Sequence, residues 1–288
     1  MAKYPIYSIQ RFNCNSVQSD FYVNTFQNHL VTHPFVEEPH RHNFYLLAFF
    51  TKGSGIHEID FDRFDVQPGS VFMLQPGQMH HWSLSEDVDG YVVFYSQEMY
   101  NLYFGEKNLA AFPFYFSNAT QPEILLSQEE MKGLLPFFEI ILKESVSSEL
   151  FKKDKILNLL DIIHIELARK YQEIVVPESH SYNTKLKQFS QLLEKNFTVE
   201  KSAAFYADAL HITLKHLNRI CNEMVSKTTS ELINERVVLE AKRMLMDKNL
   251  LIHEVAANLG YDDNSYFVRF FKKNTGMTPK EFRLRKGR

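Results

Sequence analysis

One stretch of this chain is written twice, fifty residues apart. Residues 202–224 read SAAFYADALHITLKHLNRICNEM, and residues 251–273 read LIHEVAANLGYDDNSYFVRFFKK. Arg219 and Arg269 are 50 positions apart, as are Thr228 and Thr278, and Glu231 and Glu281; Ala207 and Ala256 are 49 apart, so the second copy has one extra residue in its turn. A repeat that keeps turn, basic residue and following cap in step is a duplicated structural unit. Each copy reads as two short helices packed across a tight turn. Ala207 and Ala256 supply the small residue that close packing needs. Gly260 supplies positive φ in the second turn, and His211 is expected to take the same backbone region in the first. Thr213 and Asp262–Asp263 are cap-forming residues at the start of each second helix. Leu217 and Phe267 are expected to anchor those helices, with Arg219 and Arg269 two residues further on, on a different face.

Residues 230–247 (SELINERVVLEAKRMLMD) join the copies, with apolar positions at 233, 237, 241, 244 and 245 that predict one long helix. Thr228 and Glu231 form a capping-box pattern before it, and Thr278-Pro279-Lys280-Glu281 repeats that pattern after the second copy. Two helix-turn-helix units joined by a rod suit duplex DNA, whose successive major-groove segments on one face lie ~34 Å apart. Charge is divided the same way. Residues 181–288 carry 19 basic and 12 acidic side chains, a balance of +7, whereas residues 1–180 stand at −10. A basic half beside an acidic one is expected when only one end meets phosphate.

The second copy and its tail, AANLGYDDNSYFVRFFKKNTGMTPKEFR, resemble the DNA-binding domain of the AraC/XylS family of bacterial transcription regulators. Ala256, Leu259, Gly260, Tyr261, Tyr266, Phe267, Arg269, Phe270, Lys272, Gly276, Pro279, Phe282 and Arg283 carry the likeness, with Arg236, Ala241 and Leu245 in the joining helix. The first copy departs at Cys221, where the family usually has Phe, and at Ser226, where it usually has Gly. The resemblance implies a sequence-specific regulator that binds double-stranded promoter DNA, answers to a small-molecule effector, pairs as a homodimer and works with RNA polymerase. By family position, Lys215, Asn218, Arg219, Asn264, Ser265 and Arg269 are the expected base readers, and Thr213, Lys272 and Lys273 the expected phosphate contacts.

The front half has another rhythm. From Phe21 to Tyr95, short β-branched and aromatic runs alternate with turn residues, which predicts an antiparallel barrel or jelly roll. PHRHNFYLLAFFTKGSG followed by PGSVFMLQPGQMHHW resembles the cupin-like sensor domain attached to many such regulators. His40, His42 and His80 sit where metal-binding cupins place histidines, but the glutamate of that set falls at Leu46 or Leu47. Three readings stay open for these histidines: a three-imidazole metal site, the lining of an organic pocket, or local structure. Phe44, Phe50, Phe72, Trp82 and Tyr91 complete the expected pocket. No cofactor is expected.

Residues 127–173 read as two helices, and Ile156, Leu160, Ile163 and Leu167 have the four-three spacing of a coiled-coil seam, expected to pair two copies or to pack on the chain's own barrel. The expected fold class is therefore α+β. It comprises a sensor barrel over 1–126, a helical dimerisation segment over 127–174, a linker over 175–183 and a double helix-turn-helix domain over 184–288.

No run of eighteen apolar residues predicts a membrane span, and the opening MAKYPIYSIQRFN lacks the pattern of a signal peptide. Cys14 and Cys221 are expected as separate reduced thiols in a cytoplasmic protein. Two further classes fit the residues less well. A metal-dependent cupin enzyme with a DNA-binding tail meets the missing glutamate. A repair protein meets a front half whose only cysteine is Cys14.

Overall fold

The computed structural model describes residues 5–12, 20–33, 38–104, 109, 112–115, 121–174, 180–225, 227–247 and 249–286. The chain forms two compact units, one built mainly from residues 5–176 and one mainly from 177–288.

The first unit contains two five-stranded sheets. One runs β1 (Ile6–Tyr7), β3 (His40–His42), β8 (Met79–Leu84), β5 (Gly55–Ile59), β6 (Asp62–Val66); the other runs β10 (Glu123–Leu125), β7 (Ser70–Leu74), β4 (Tyr45–Lys52), β9 (Asp89–Tyr95), β2 (Phe21–Thr25). All pairings are antiparallel except β1 with β3. Helix α1 (Phe26–Thr32) follows β2, with the Thr25 hydroxyl capping it at the N–H of Asn28.

Strand β4 shows why YLLAFF reads as unbroken apolar sequence. Leu46, Ala48 and Phe50 face an inner core shared by both sheets, while Tyr45, Leu47 and Phe49 face an outer core under the helices. A strand buried on both faces has no polar side to display. Two cores thus share one sheet, and the flattened barrel between the sheets is the frame for the first candidate site. With a helical second unit, this is the α+β class expected.

The outer core is covered by α2 (Gln97–Phe104), α3 (Gln128–Ser145) and α4 (Lys152–Ile174). Ser127 and Glu130 form a capping box that starts α3. Here one expectation is corrected. Ile156, Leu160, Ile163 and Leu167 are buried in the outer core of their own unit, at no more than 4% exposure, so they are not a free seam for a second copy. The four-three spacing defines only an apolar stripe on a helix, and β9, α3 and the segment around Tyr115 offer that stripe an intramolecular surface.

In the second unit α5 (His180–Asn196) precedes the repeat. The expected linker is helical from His180 on, and its residues 175–179 lie outside the described ones, as do Cys14 and Ser226. The first copy is α6 (Ala203–Ala209) and α7 (Leu214–Val225); the second is α9 (Ile252–Asn258) and α10 (Asn264–Thr275). Helix α8 (Thr229–Leu245) joins them and α11 (Pro279–Lys286) closes the unit. Ala207 and Ala256 are each 1% exposed, and Leu217 and Phe267 are fully buried. His211 has φ 55° and Gly260 φ 72°, so both turns use the left-handed region. Only Gly260 is also pressed by backbone, since a Cβ there would lie 1.9 Å from the carbonyl oxygen of Thr198. Cys221, fully buried beside Ile220, accepts from the Thr229 hydroxyl at 3.6 Å and fills the position of the usual Phe.

Salt bridges and hydrogen bonds hold the joining helix at both ends. The Thr228–Glu231 capping box forms as its residues predict, and the Thr278–Glu281 bonds repeat it at α11. The Arg236 guanidinium lies 3.8 Å above the Phe197 ring and donates to Glu194 at 2.8 Å. Arg283 donates to the carbonyls of Leu245 and Leu250, tying α11 to the end of α8.

Candidate effector site and nucleic-acid interface

The pleat decides which side chains enter the barrel. Along β8, His80 and Trp82 face inward; their cross-strand partners Ile59 and His57 on β5, and His40 on β3, share that face. His42, two residues beyond His40, follows it. Phe44, Phe50, Phe72 and Trp82 all belong to the inner core. Tyr91 does not. It lies on the opposite face of β9 and packs on Phe138 of α3, with ring centroids 5.6 Å apart. The expectation for Tyr91 is corrected by strand alternation, because its neighbours Val92 and Phe94 are the inward residues.

The structure adds residues that motif reading passed over. His57 is fully buried, and its Nε2 lies 3.0 Å from Nδ1 of His80. His29, also fully buried, meets the Tyr22 hydroxyl through Nδ1 at 3.0 Å. The signal for His57 was present in GIHEI, where alternation puts the histidine on the apolar side of the strand. His42 donates from Nδ1 to the carbonyl of Phe44 at 2.7 Å, and His40 from Nδ1 to that of Glu38 at 2.8 Å.

Five buried polar atoms in this region have no hydrogen-bond partner: His29 Nε2, His42 Nε2, His57 Nδ1, His80 Nε2 and Trp82 Nε1. Each such atom left unpaired costs about 1–3 kcal/mol, and native proteins keep few of them. Burial drives the imidazoles towards the neutral form. It pushes His42 and His29 down to about 3 and His40 to about 4. His57 and His80 are lowered well below the usual histidine value by burial, reinforced by neighbouring His40. Among the described residues, no group of three His, Cys, Asp or Glu side chains is arranged to hold a metal ion. The trio His40, His42 and His80 is brought together, with the rings of His40 and His42 centred 4.4 and 5.0 Å from that of His80.

A second buried network leads outward from β9. The Tyr95 hydroxyl lies 2.6 Å from that of Tyr115 and 2.7 Å from Nε2 of His164, and Nδ1 of His164 is 2.7 Å from the carbonyl oxygen of Leu160 on its own helix. Tyr100 donates to Asp161. Residues 94 and 95 thus connect the barrel interior, through Phe94, to α4, through Tyr95.

In the second unit, Thr213 caps α7 by accepting from the N–H of His216 at 3.2 Å. Lys215 and Arg219 are exposed and one helical turn apart, and Arg219 donates to Nδ1 of His216 at 3.2 Å. Asn218 is different. Its side-chain oxygen accepts from the backbone N–H of Thr229 at 3.0 Å, which turns this half-buried residue to the start of α8. Its geometry is that of a helix cap.

On α10, Asp263 accepts from the N–H groups of Ser265 and Tyr266 at 2.6 and 3.2 Å, fixing the helix start. Asn264, Ser265 and Arg269 are exposed, with Lys272 and Lys273 exposed in the last turn. Tyr266, 57% exposed, adds an aromatic side chain to this face that the polar residue types do not signal.

Comparison with known families matches the AraC-like ligand binding domain to residues 24–160 and a helix-turn-helix domain to residues 206–285. The chain belongs to the AraC family of transcription regulators. Among the relatives of this AraC-type chain is the transcriptional activator RhaR of Mannheimia succiniciproducens, 22% identical over 253 residues, covering 85% of this chain and 87% of that protein. Another is the arabinose operon regulatory protein of Salmonella typhimurium, 22% identical over 254 residues, covering 86% of each. Among solved structures, ToxT from Vibrio cholerae aligns over 92% of this chain and 98% of its own, at 14% identity and a TM-score of 0.44. No described helix of this regulator is long and apolar enough to cross a membrane.

Proposed function

We propose that this AraC-type regulator changes its hold on promoter DNA when a small molecule enters the barrel of its first unit. The unpartnered atoms of His42, His57, His80 and Trp82 carry the reading, because buried polar atoms without partners are groups awaiting one. Lys215, Arg219, Asn264, Ser265 and Arg269 read bases, while Thr213, Lys272 and Lys273 hold phosphates. The Tyr95–His164 bond joins the barrel wall to α4, the helix that leads in sequence to the DNA-binding unit. A ligand acts there only through its different affinity for two arrangements of this wall.

The regulator works in the cytoplasm, on double-stranded DNA, and meets RNA polymerase at its promoters; the activators among its relatives support activation as its mode. It acts as a homodimer, since linking two copies raises the effective concentration of the second DNA-binding unit. Pairing uses side chains that α3 and α4 leave at the surface, such as Ile140 and Ile162, at 39% and 38% exposure. Binding, rather than turnover, is the barrel's task.

The test is direct. DNA sites are selected from a random library with the full chain, and affinity is then measured with and without the small-molecule fraction of a cell extract. The extract should shift the affinity of the wild-type chain and leave that of His80→Phe unmoved. Equal affinities in all conditions would remove the effector from the account.

A further inference from the structure

The two helix-turn-helix copies are joined twice. Helix α8 is the covalent link, a 17-residue rod on which both copies pack. A rod sets a separation, yet each body packed on it can still rock about its line of contact. Residues 197–201, between α5 and α6, add a second strut. The Phe197 ring lies 3.8 Å beneath the Arg236 guanidinium of α8, and the carbonyl of Glu200 accepts from the Tyr206 hydroxyl of α6 at 2.8 Å. The segment is thereby fixed to the rod and to the first copy.

Its other side meets the second copy. The carbonyl oxygen of Thr198 sits against Gly260, so close that an added Cβ would lie 1.9 Å away. The Lys201 ammonium donates to that same carbonyl at 3.0 Å and lies 4.6 Å from the centre of the Tyr261 ring. A cation over an aromatic face is held more firmly once water is excluded. Burial lowers the Lys201 pKa, and the carboxylates of Glu200 and Asp262 oppose that, one from each side of the strut. Gly260 and Tyr261 stand in the turn between α9 and α10, so what they touch sets the tilt of α10. One lysine thus holds the backbone that leads into the first copy and the ring that opens the second recognition helix.

We propose that Lys201 is a positioning residue: with Thr198 and Gly260 it locks the two copies into one rigid reading head, and this lock enforces the spacing between the two base-reading segments of a DNA site. Its effect on DNA rests on the base reading by α7 and α10 given above. One inserted base pair moves the second segment by about 3.4 Å and turns it by roughly 35° about the DNA axis. A loosely joined pair of copies follows that shift. A locked pair gives up one set of contacts.

Two measurements on the full-length chain test this. The first uses nitroxide labels on the exposed positions Asn222→Cys of α7 and Asn274→Cys of α10, in a Cys14→Ser, Cys221→Ala background. Pulsed electron spin resonance then gives the distance between the two helices without DNA. The distribution should be narrow in the parent, wider in Lys201→Met, and narrow again in Lys201→Arg, which restores a cation. Gly260→Asn reaches the same lock from the other side. Asparagine tolerates the left-handed turn, so its effect comes from the Cβ pressed on Thr198. It should also widen or displace the distribution, and it decides the matter should Lys201→Met not fold by circular dichroism.

The second measurement starts from a site selected out of a random library. One base pair is added or removed between the bases whose preference Arg219→Ala relaxes and those that Arg269→Ala relaxes. Wild type should bind the altered sites roughly ten-fold or more weakly, the worth of a forfeited base contact. Lys201→Met should shrink that penalty to about two- or three-fold, less than one such contact, and Lys201→Arg should keep it. A lysine with a merely structural role would weaken all sites alike and leave the ratio unmoved.

Distances that stay narrow in Lys201→Met and Gly260→Asn would overturn the lock. Widening with an unchanged spacing penalty would overturn its part in site choice. Equal loss on every site with a shallower salt dependence would make Lys201 a phosphate contact instead. Should neither arginine variant change any base preference, the base reading fails, while the label distances still judge the lock.

Discussion

The side-chain oxygen of Asn218, on the first recognition helix, accepts the backbone N–H of Thr229 at 3.0 Å. Thr228 and Glu231 satisfy neighbouring groups of the same helix start, so α7 and α8 are joined at the point where the joining helix begins. Replacing Asn218 by Ala should lower the stability of the DNA-binding unit by about 1 kcal/mol, the usual cost of a lost cap. Urea denaturation measures that. DNA affinity should fall evenly across site variants, because the side-chain oxygen is held at the start of α8; loss confined to one base position would return Asn218 to the readers.

Arg219 and Arg269 should behave otherwise. Arg219→Ala and Arg269→Ala should each relax preference at one defined base position by about 1–3 kcal/mol, the value of a bidentate arginine–guanine pair. Titrations against single-base variants of a selected site give the answer. Uniform weakening would make the arginine a phosphate contact.

Lys272 and Lys273 are exposed in the last turn of α10. Changing both to Gln should flatten the slope of log K against log salt by about 1–2 units. A slope that does not move, with affinity unchanged, would put both lysines off the DNA.

Leu160 is fully buried in the outer core of its unit. Leu160→Ala should destabilise that unit by about 2–5 kcal/mol, the range for a deleted core leucine. The seam reading expects a different result: unchanged folding with loss of a dimer. Calorimetry beside sedimentation of the same variant separates the two, and a monomer with an undisturbed melting profile would restore the seam.

Acid should unfold the first unit. His29, His40 and His42 have folded pKa values pushed down to about 3, 4 and 3, chiefly by burial, so the unfolded chain takes up their protons first. Stability is full above the ordinary histidine value near ~6.5 and is lost as pH falls from there towards 4, by up to about 1.4 kcal/mol per pH unit for each histidine. Denaturation midpoints at pH 7.5, 6 and 5 should fall in that order. Over the same range above pH 6.5 the midpoint should be flat with respect to these groups, and a midpoint that rises on acidification would reverse the assignment.

The repeat was legible because its cues are local. Small residue, turn and cap occupy fixed positions, and Ala207, His211, Gly260 and Asp263 all do what their chemistry suggests. The long-range partners were not. Nothing in the spacing of Ile156, Leu160, Ile163 and Leu167 says whether a helical stripe meets a second chain or its own barrel, since both surfaces are apolar. Composition alone suggests Tyr91 as a pocket residue, although counting in twos along β9 separates it from Phe94. His57 was passed over because it lies outside the familiar histidine pattern. Its importance comes from register, which sets it opposite Trp82 on the neighbouring strand. Asn218 looked like a base reader by position and proved to be held by Thr229, a contact that depends on where α8 starts.

The two helix-turn-helix copies are joined head to tail by α8, and their exposed side chains differ: Lys215 and Arg219 on one, Asn264, Ser265 and Arg269 on the other. Such a domain has polarity. One chain cannot be turned end for end on its site and make the same contacts, so that site is an arrow on the DNA as well as an address. Inverting that arrow at a promoter would keep the affinity of the single domain and exchange upstream for downstream in whatever the chain presents to transcription.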